Sequence, residues 1–156
     1  MNTSLSFADL GDELTPTQTT AWFGLLAAHS GIVHQLDATL RASHHLGLST
    51  YEVLFHLAQA PAYRLRMSEL AALAPLTLSG ISRMVDRLER DGLVRREGSP
   101  EDGRVACATL TDDGMTRLRA ARLTYLAGLH RLFLDHFTEQ ELDTLNACWR
   151  RLGACT

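Results

Sequence analysis

Arginines outnumber acidic residues only in the middle third of this 156-residue chain, where several short hydroxyl side chains lie among them. Residues 64–104 hold eight arginines against seven acidic residues, whereas residues 1–63 hold one arginine against five. The chain has no lysine, and its formal net charge is −3. Guanidinium groups bind phosphate and base edges through forked hydrogen bonds, and hydroxyl groups bind either target. A polyanion such as DNA would therefore be bound by the middle third, although the chain as a whole carries a net negative charge.

A helix-turn-helix is predicted around these side chains. A short helix from residue 69 to about residue 74 is capped by Ser68, and Thr77 caps a second helix that ends at Gly92. Ile81, Val85 and other apolar residues form its buried stripe. The second helix of such a motif enters the major groove of DNA. Its polar residues, which we expect to contact DNA, are Thr77, Ser79, Ser82, Arg83 and Arg87.

A β-hairpin follows directly, because the pattern changes from helical to alternating. Residues 93–97 predict one strand, 98–103 a turn, and 104–110 the returning strand. Its candidate DNA-contacting residues are Arg95, Arg96, Asp102 and Arg104. An arginine at a hairpin tip fits the minor groove, where the potential is most negative, and Asp102 is placed to orient Arg104 or to tie down the turn.

Long helices on both sides must position this motif. Thr15 to Gln18 is a capping box that opens an amphipathic helix ending near Gly47. Ser49 to Glu52 forms a second box, before a helix that stops ahead of Pro61. Thr111 caps another long helix, predicted to include Phe133 and Phe137, and Thr138 to Glu141 opens a last one. The predicted fold is mainly α, a winged helix-turn-helix with long terminal helices.

The terminal helices carry more apolar surface than one small lobe can cover. Trp22, Phe23, Phe137 and Trp149 would lie in exposed patches if the chain were alone in solution. Pairing with the same helices of a second copy covers these patches, which predicts a two-fold homodimer. The alternative is a monomer in which the first and last helices pack on each other.

Residues 76–94, LTLSGISRMVDRLERDGLV, resemble the recognition-helix signature of the MarR family of bacterial regulators. The run Asp102-Gly103-Arg104, followed by Leu110 to Gly114 (LTDDG), is similar to the wing signature of that family, D-x-R and then L-T-x-x-G. The resemblance implies one domain over 1–156, with a DNA-binding lobe at 48–114 and dimerisation helices at 15–47 and 115–156. It also implies a homodimeric transcriptional regulator, usually a repressor, of palindromic double-stranded DNA.

The resemblance further implies individual roles. Ser79, Ser82 and Arg83 would face the major groove. Arg104, held by Asp102, would enter the minor groove, and Ser68 would touch phosphate. The sequence departs from the family pattern in having Pro75 where the turn usually has glycine, and Gly80 inside the recognition helix.

A small aromatic or anionic effector is expected between the DNA-binding lobe and the terminal helices, where this family binds such molecules. Candidate lining residues are Trp22, His29 and Tyr51. All seven histidines lie outside the reading helix and the wing, so a zinc-responsive regulator is an alternative, although we assign no metal ligand. No cofactor is expected.

Other classes of protein are disfavoured. P-loop, GxGxxG, GxSxG and HExxH motifs are absent, so we expect no enzyme, with a small histidine-rich enzyme as the remote alternative. The cysteines Cys107, Cys148 and Cys155 form no CxxC pair, which suits a reducing cytosol, and no cysteine lies near the N-terminus for peroxide sensing. The first twenty residues lack the basic start of a signal peptide, and residues 21–28 are too short to span a bilayer. We therefore expect a cytoplasmic protein.

Overall fold

The computed structural model describes residues 14–74, 76–98 and 105–153. These ranges contain six α-helices and three β-strands. The elements in chain order are α1 (Pro16–His44), α2 (Leu48–Gln59), β1 (Arg64–Arg66), α3 (Met67–Leu73), α4 (Leu78–Arg90), β2 (Val94–Gly98), β3 (Ala106–Leu110), α5 (Asp112–Leu132) and α6 (Glu139–Arg151), with single 3₁₀ turns at Pro61–Tyr63 and Leu134–His136. This arrangement confirms the predicted fold class. None of the helices in these ranges has the length and apolarity needed to cross a membrane.

The core lies within the lobe formed by α2, α3, α4 and the sheet. Leu54, Leu57, Leu70, Ile81 and Val85 are fully buried there, because their apolar faces meet across the short helices. The C-terminal half of α1 joins this core through Leu36 and Leu40 and packs along α5. The rest of α1 projects away from the lobe, since every residue from 20 to 31 is exposed.

Four of the six predicted helix caps are confirmed. The hydroxyls of Thr15, Thr77, Thr111 and Thr138 each accept a hydrogen bond from a backbone N–H three residues on. Such a bond satisfies one of the unpaired donors of a first helical turn. The boundaries of α1, α4, α5 and α6 at their N-termini therefore follow from local sequence.

The caps predicted at Ser49 and Ser68 are wrong. The cap of α2 is Gly47, and its orphan Leu48 amide donates to Asp37 Oδ1 of α1 at 2.8 Å. The cap of α3 is Arg66, whose amide donates to Glu69 Oε2 at 2.7 Å. In both cases another acceptor supplies the bond, so the helix begins earlier than a local hydroxyl signature indicates.

The predicted hairpin is confirmed, and a third strand was missed. β2 and β3 pair antiparallel with Val94 opposite Leu110, while β1 pairs with the other edge of β3 and places Leu65 opposite Ala108. β1 has only three residues, two of them arginine, and is too short to show the alternation of apolar and polar residues that predicts a strand. The returning strand is predicted from residue 104, whereas β3 begins at Ala106. The hairpin tip, residues 99–104, lies outside the described residues.

The long helix predicted from Thr111 does not reach Phe137. α5 ends at Leu132, and Phe133 leaves the helical conformation with φ −140° and ψ −65°. A 3₁₀ turn then brings Phe137 back, with its ring centroid 5.0 Å from that of Phe133. The two rings pack across a turn, and their four-residue spacing imitates a continued helix.

Candidate DNA-binding interface

The exposed face of α4 presents Ser79 and Arg83. Burial of Ile81 and Val85 on the opposite side fixes the rotation of the helix about its axis. Ser79 and Arg83 lie one turn apart, and Arg83 Nε donates to the Ser79 carbonyl oxygen at 3.4 Å. Both side chains are exposed, so this face can approach an external partner. Thr77 Oγ1, within 3.1 Å of Ser79 Oγ, accepts the capping bond from the Gly80 amide.

Arg87, predicted to contact DNA from the same helix, makes an intramolecular bond. Its Nη2 atom donates to Thr50 Oγ1 of α2 at 3.2 Å. Thr50 is buried, with 6% of its surface exposed. This bond ties α4 to α2.

Ser82 and Arg96 contact each other. Arg96 extends from β2 onto α4, where Nη1 lies 2.7 Å from Asp86 Oδ1 and Nη2 lies 2.9 Å from Ser82 Oγ. The Arg96 amide donates to Glu89 Oε1 at 2.9 Å. Two residues that the sequence predicted as separate DNA contacts are thus joined across the helix and the hairpin.

The other residues predicted to contact DNA lie apart from the contact between Ser82 and Arg96. Arg95 is exposed and pairs with Glu97 at 3.2 Å on the other face of β2. Ser68 is exposed in the first turn of α3. Asp102 and Arg104 at the wing tip, and Pro75 in the turn, lie outside the described residues.

The three predicted effector residues line three different cavities. Trp22 borders an apolar groove with Leu25 and Leu152, and His29 borders a cavity beside His34. Tyr51 lies in the wall of a cavity of about 280 Å³ between α2 and α5. Within one chain, therefore, these residues are not brought together.

The cavity beside Tyr51 contains groups that the sequence analysis missed. Tyr125 stacks on Tyr51 with ring centroids 4.6 Å apart, and the Arg122 guanidinium lies 5.3 Å from the centroid of Phe55. Arg122 and Tyr125 lie one turn apart on α5. This spacing is found on any exposed helix face. Only the packing of α5 against α2 makes them part of a cavity, so no local signal indicated them.

The electrostatics of this cavity favour neutral forms of its own acidic groups. Burial raises the pKa of Tyr51, and the nearby Arg122 guanidinium opposes that shift. Burial also raises the pKa of the Glu52 carboxyl, opposed by His56, and that of Tyr125, where the Glu52 charge adds to the effect. The Tyr51 hydroxyl is buried, and no side chain in the described ranges has hydrogen-bond geometry with it. The cavity therefore offers a buried hydroxyl and a cation.

No metal centre is formed by the part of the chain that the structure describes. Its histidines, cysteines and carboxylates nowhere gather three or more side chains placed to hold a metal ion. His130 and Asp135 form an exposed pair at 3.1 Å.

Comparison with known proteins identifies the family that shares this architecture. The model of the MarR family matches residues 46–105. The structure of AbsC, a MarR family transcriptional regulator from Streptomyces coelicolor, is 30% identical with a TM-score of 0.87, and the match covers 92% of this chain and 96% of AbsC. The chain belongs to the MarR family. Its members are not enzymes, in agreement with the sequence prediction.

Two further relatives show how much of the chain the similarity covers. Sco3205, a MarR family regulator from Streptomyces coelicolor solved in complex with DNA, is 32% identical with a TM-score of 0.86, over 92% of this chain and 90% of that one. HTH-type transcriptional regulator PrsX from Escherichia coli is 34% identical over 101 residues, or 63% of this chain. The matched part spans only 60% of the length of PrsX.

Proposed function

We propose that this MarR family member is a transcriptional regulator that binds palindromic double-stranded DNA as a homodimer and represses transcription until a small effector releases it. The observation that carries the proposal is the exposed Ser79 and Arg83 face of α4 beside an arginine-bearing hairpin. The DNA complex of Sco3205 supports it, because that chain has the same fold at 32% identity.

In the proposed complex, α4 lies in the major groove. Ser79 and Arg83 meet base edges there, and the buried side of the helix keeps them pointed outward. Arg104 at the wing tip enters the minor groove with Asp102 orienting it, while Ser68 and Arg95 bind phosphates on either side. Phosphate contacts set the register, and the α4 contacts supply the sequence preference.

The proposed dimer is formed by residues 15–47 and 115–156 of two chains. Trp22 is 52% exposed, Phe23 58% and Leu152 71%, and α6 has no buried residue in the single chain. A helix segment with no tertiary contact is marginally stable in water. A second copy would cover both helices and place two α4 helices about one turn of DNA apart.

The proposed effector is a small aromatic anion bound in the cavity beside Tyr51. The Tyr51 hydroxyl and the Arg122 guanidinium supply polar contacts for a carboxylate, and Phe55 and Tyr125 supply aromatic walls. Thr50, adjacent to Tyr51, is bonded to Arg87 of α4, so a shift of α2 on ligand binding would reach the recognition helix.

The test is a fluorescence anisotropy titration with the duplex that lies upstream of the chain's own gene. We expect tighter binding to this duplex than to a scrambled duplex of equal length, at matched salt. A hydroxybenzoate should release the duplex, whereas zinc or a chelator should not. Equal affinity for both duplexes would contradict sequence-specific binding, and release by zinc would favour the metal-responsive alternative.

A further inference from the structure

One face of α4 holds the first strand of the wing. Ser82, Asp86 and Glu89 follow one another at spacings of four and three residues, so they share a single face of the helix. All three bond to Arg96 of β2, through its two terminal guanidinium nitrogens and its backbone amide, at 2.9, 2.7 and 2.9 Å. We name this set of four residues the α4–β2 seam.

The seam joins two elements, whereas the neighbouring arginine does not. Arg96 is ten residues from Asp86 along the chain, and its bonds span the loop between α4 and β2. Arg95 instead pairs with Glu97 two residues away on its own strand. The side chains of Arg96 and Arg95 are 33% and 64% exposed. Of the two, only Arg96 can therefore set the position of the hairpin relative to α4.

The seam uses both terminal nitrogens of Arg96, which are the atoms that a forked contact to DNA would also use. The Arg96 guanidinium directs one terminal nitrogen to a carboxylate and the other to a hydroxyl, and charge-assisted bonds of this kind are directional. Moving the guanidinium off α4 towards a phosphate would break both bonds and leave the Asp86 carboxylate without Arg96. Ser82 Oγ is likewise held by Arg96 of the hairpin, whereas the bonds of Ser79 and Arg83 stay within α4 and its cap.

We propose that Arg96 is a positioning residue, which acts through Asp86 and Ser82 to fix the angle between the recognition helix and the wing. This inference rests on the proposed DNA-binding function. Partly exposed ion pairs add little to global stability, so the effect of the seam is on the orientation of two DNA-contacting elements. It does not add a phosphate contact.

The sign of one substitution separates positioning from direct contact. If Arg96 bound phosphate, Asp86→Asn would free the guanidinium and remove a negative charge near DNA, and affinity would rise. If Arg96 positions the wing, the same change weakens the contact that holds the hairpin, and affinity falls because this loss exceeds the gain from the removed charge. The two roles therefore predict opposite changes for one nearly isosteric variant.

The experiment measures anisotropy of the upstream duplex over a salt series for Asp86→Asn, Arg96→Ala and the double variant. We expect Arg96→Ala to bind about three- to tenfold more weakly than the wild type and Asp86→Asn to bind less weakly than that, because the Asn oxygen still accepts a bond without the charge. The double variant should bind no more weakly than Arg96→Ala, because both changes act on one interaction. The slope of log affinity against log salt should stay at the wild-type value. Arg95→Ala serves as the phosphate comparator, and its slope should fall by about one because one phosphate is no longer bound.

Tighter binding by Asp86→Asn, or a reduced salt slope for Arg96→Ala, would overturn the proposal. Hydrogen exchange of the free protein tests the seam without DNA, and we expect faster exchange at residues 94–98 in Asp86→Asn than in the wild type. Unchanged exchange there would also overturn it. Failure of the wild type to bind any duplex would instead count against the proposed function, while the exchange result still decides whether the seam holds the wing.

Discussion

The carboxylate of Asp37 caps a helix to which it does not belong. Its Oδ1 atom accepts the Leu48 amide of α2 at 2.8 Å, and its Oδ2 atom lies 2.6 Å from Arg41 Nε on α1. These bonds, from Arg41 first and from Leu48 second, hold the pKa of the Asp37 carboxyl below its usual range. α1 and α2 are therefore joined by a charge-dependent contact.

Removing this cap should destabilise the fold. We expect Asp37→Ala to lower the free energy of unfolding by about 1 kcal/mol, the usual contribution of a helix cap. Asp37→Asn should lose less, since its amide oxygen still accepts the Leu48 bond. Urea unfolding at pH 7 measures both, with Asp91→Asn at the exposed end of α4 as the control. Equal stability of Asp37→Ala and wild type would contradict the capping role.

The same contact should contribute a pH dependence. Because the folded-state pKa of Asp37 is depressed, its stabilisation is fully present above the ordinary value of 3.8 and is lost as pH falls through the lower folded-state value. Asp37→Asn cannot titrate, so its stability should fall less than that of wild type in this acidic range. Parallel curves for the two proteins across the acidic range would refute this assignment.

The helix starts at Thr15, Thr77, Thr111 and Thr138 could be predicted because each cap bonds within its own first turn. The start of α2 could not, since its acceptor, Asp37, is eleven residues upstream on another helix. The end of α5 was missed for a related reason. Phe133 and Phe137 are four residues apart, as apolar residues on one helix face would be, but their rings pack across a turn.

The candidate site shows the same division between local and long-range information. Sequence patterns placed Ser79 and Arg83 on the polar face of α4, because a helix repeats every 3.6 residues. They could not indicate that Ser82 bonds to Arg96, fourteen residues away. Nor could they bring Arg122 to Tyr51, which depends on how α5 packs against α2.

Disrupting the exposed apolar face of α1 should produce monomers. Trp22→Glu places a charge where the proposed dimer buries an indole, and burying an unpaired carboxylate is strongly unfavourable. Gln35→Glu adds the same charge to the same helix at an exposed polar position and should leave the dimer intact. Light scattering at one concentration gives both masses. A wild-type mass of one chain would contradict the dimer, and an unchanged dimer of Trp22→Glu would exclude this face from it.

Arg83→Ala should weaken DNA binding and relax its sequence preference. An arginine that forms two bonds to a guanine edge contributes about 1–3 kcal/mol of discrimination. We expect the affinity for the upstream duplex to fall towards that for a scrambled duplex. Titrations of both duplexes at matched salt give the ratio. An equal loss on both duplexes would mean that Arg83 binds phosphate instead of a base.

Arg122→Ala should make the DNA complex resistant to an aromatic acid. The guanidinium is the cation at the cavity beside Tyr51, and a charge-assisted bond to a carboxylate contributes about 1.5–3 kcal/mol. We therefore expect release of the upstream duplex to require at least about tenfold more hydroxybenzoate than in the wild type. Arg119→Ala, three residues earlier on α5 and outside this cavity, is the matched control. DNA affinity without ligand should be the same in all three proteins, because Arg119 and Arg122 lie on α5, outside α4 and the hairpin. An unshifted hydroxybenzoate titration for Arg122→Ala would place the effector elsewhere. The cavity beside His29 would then be the next one to test.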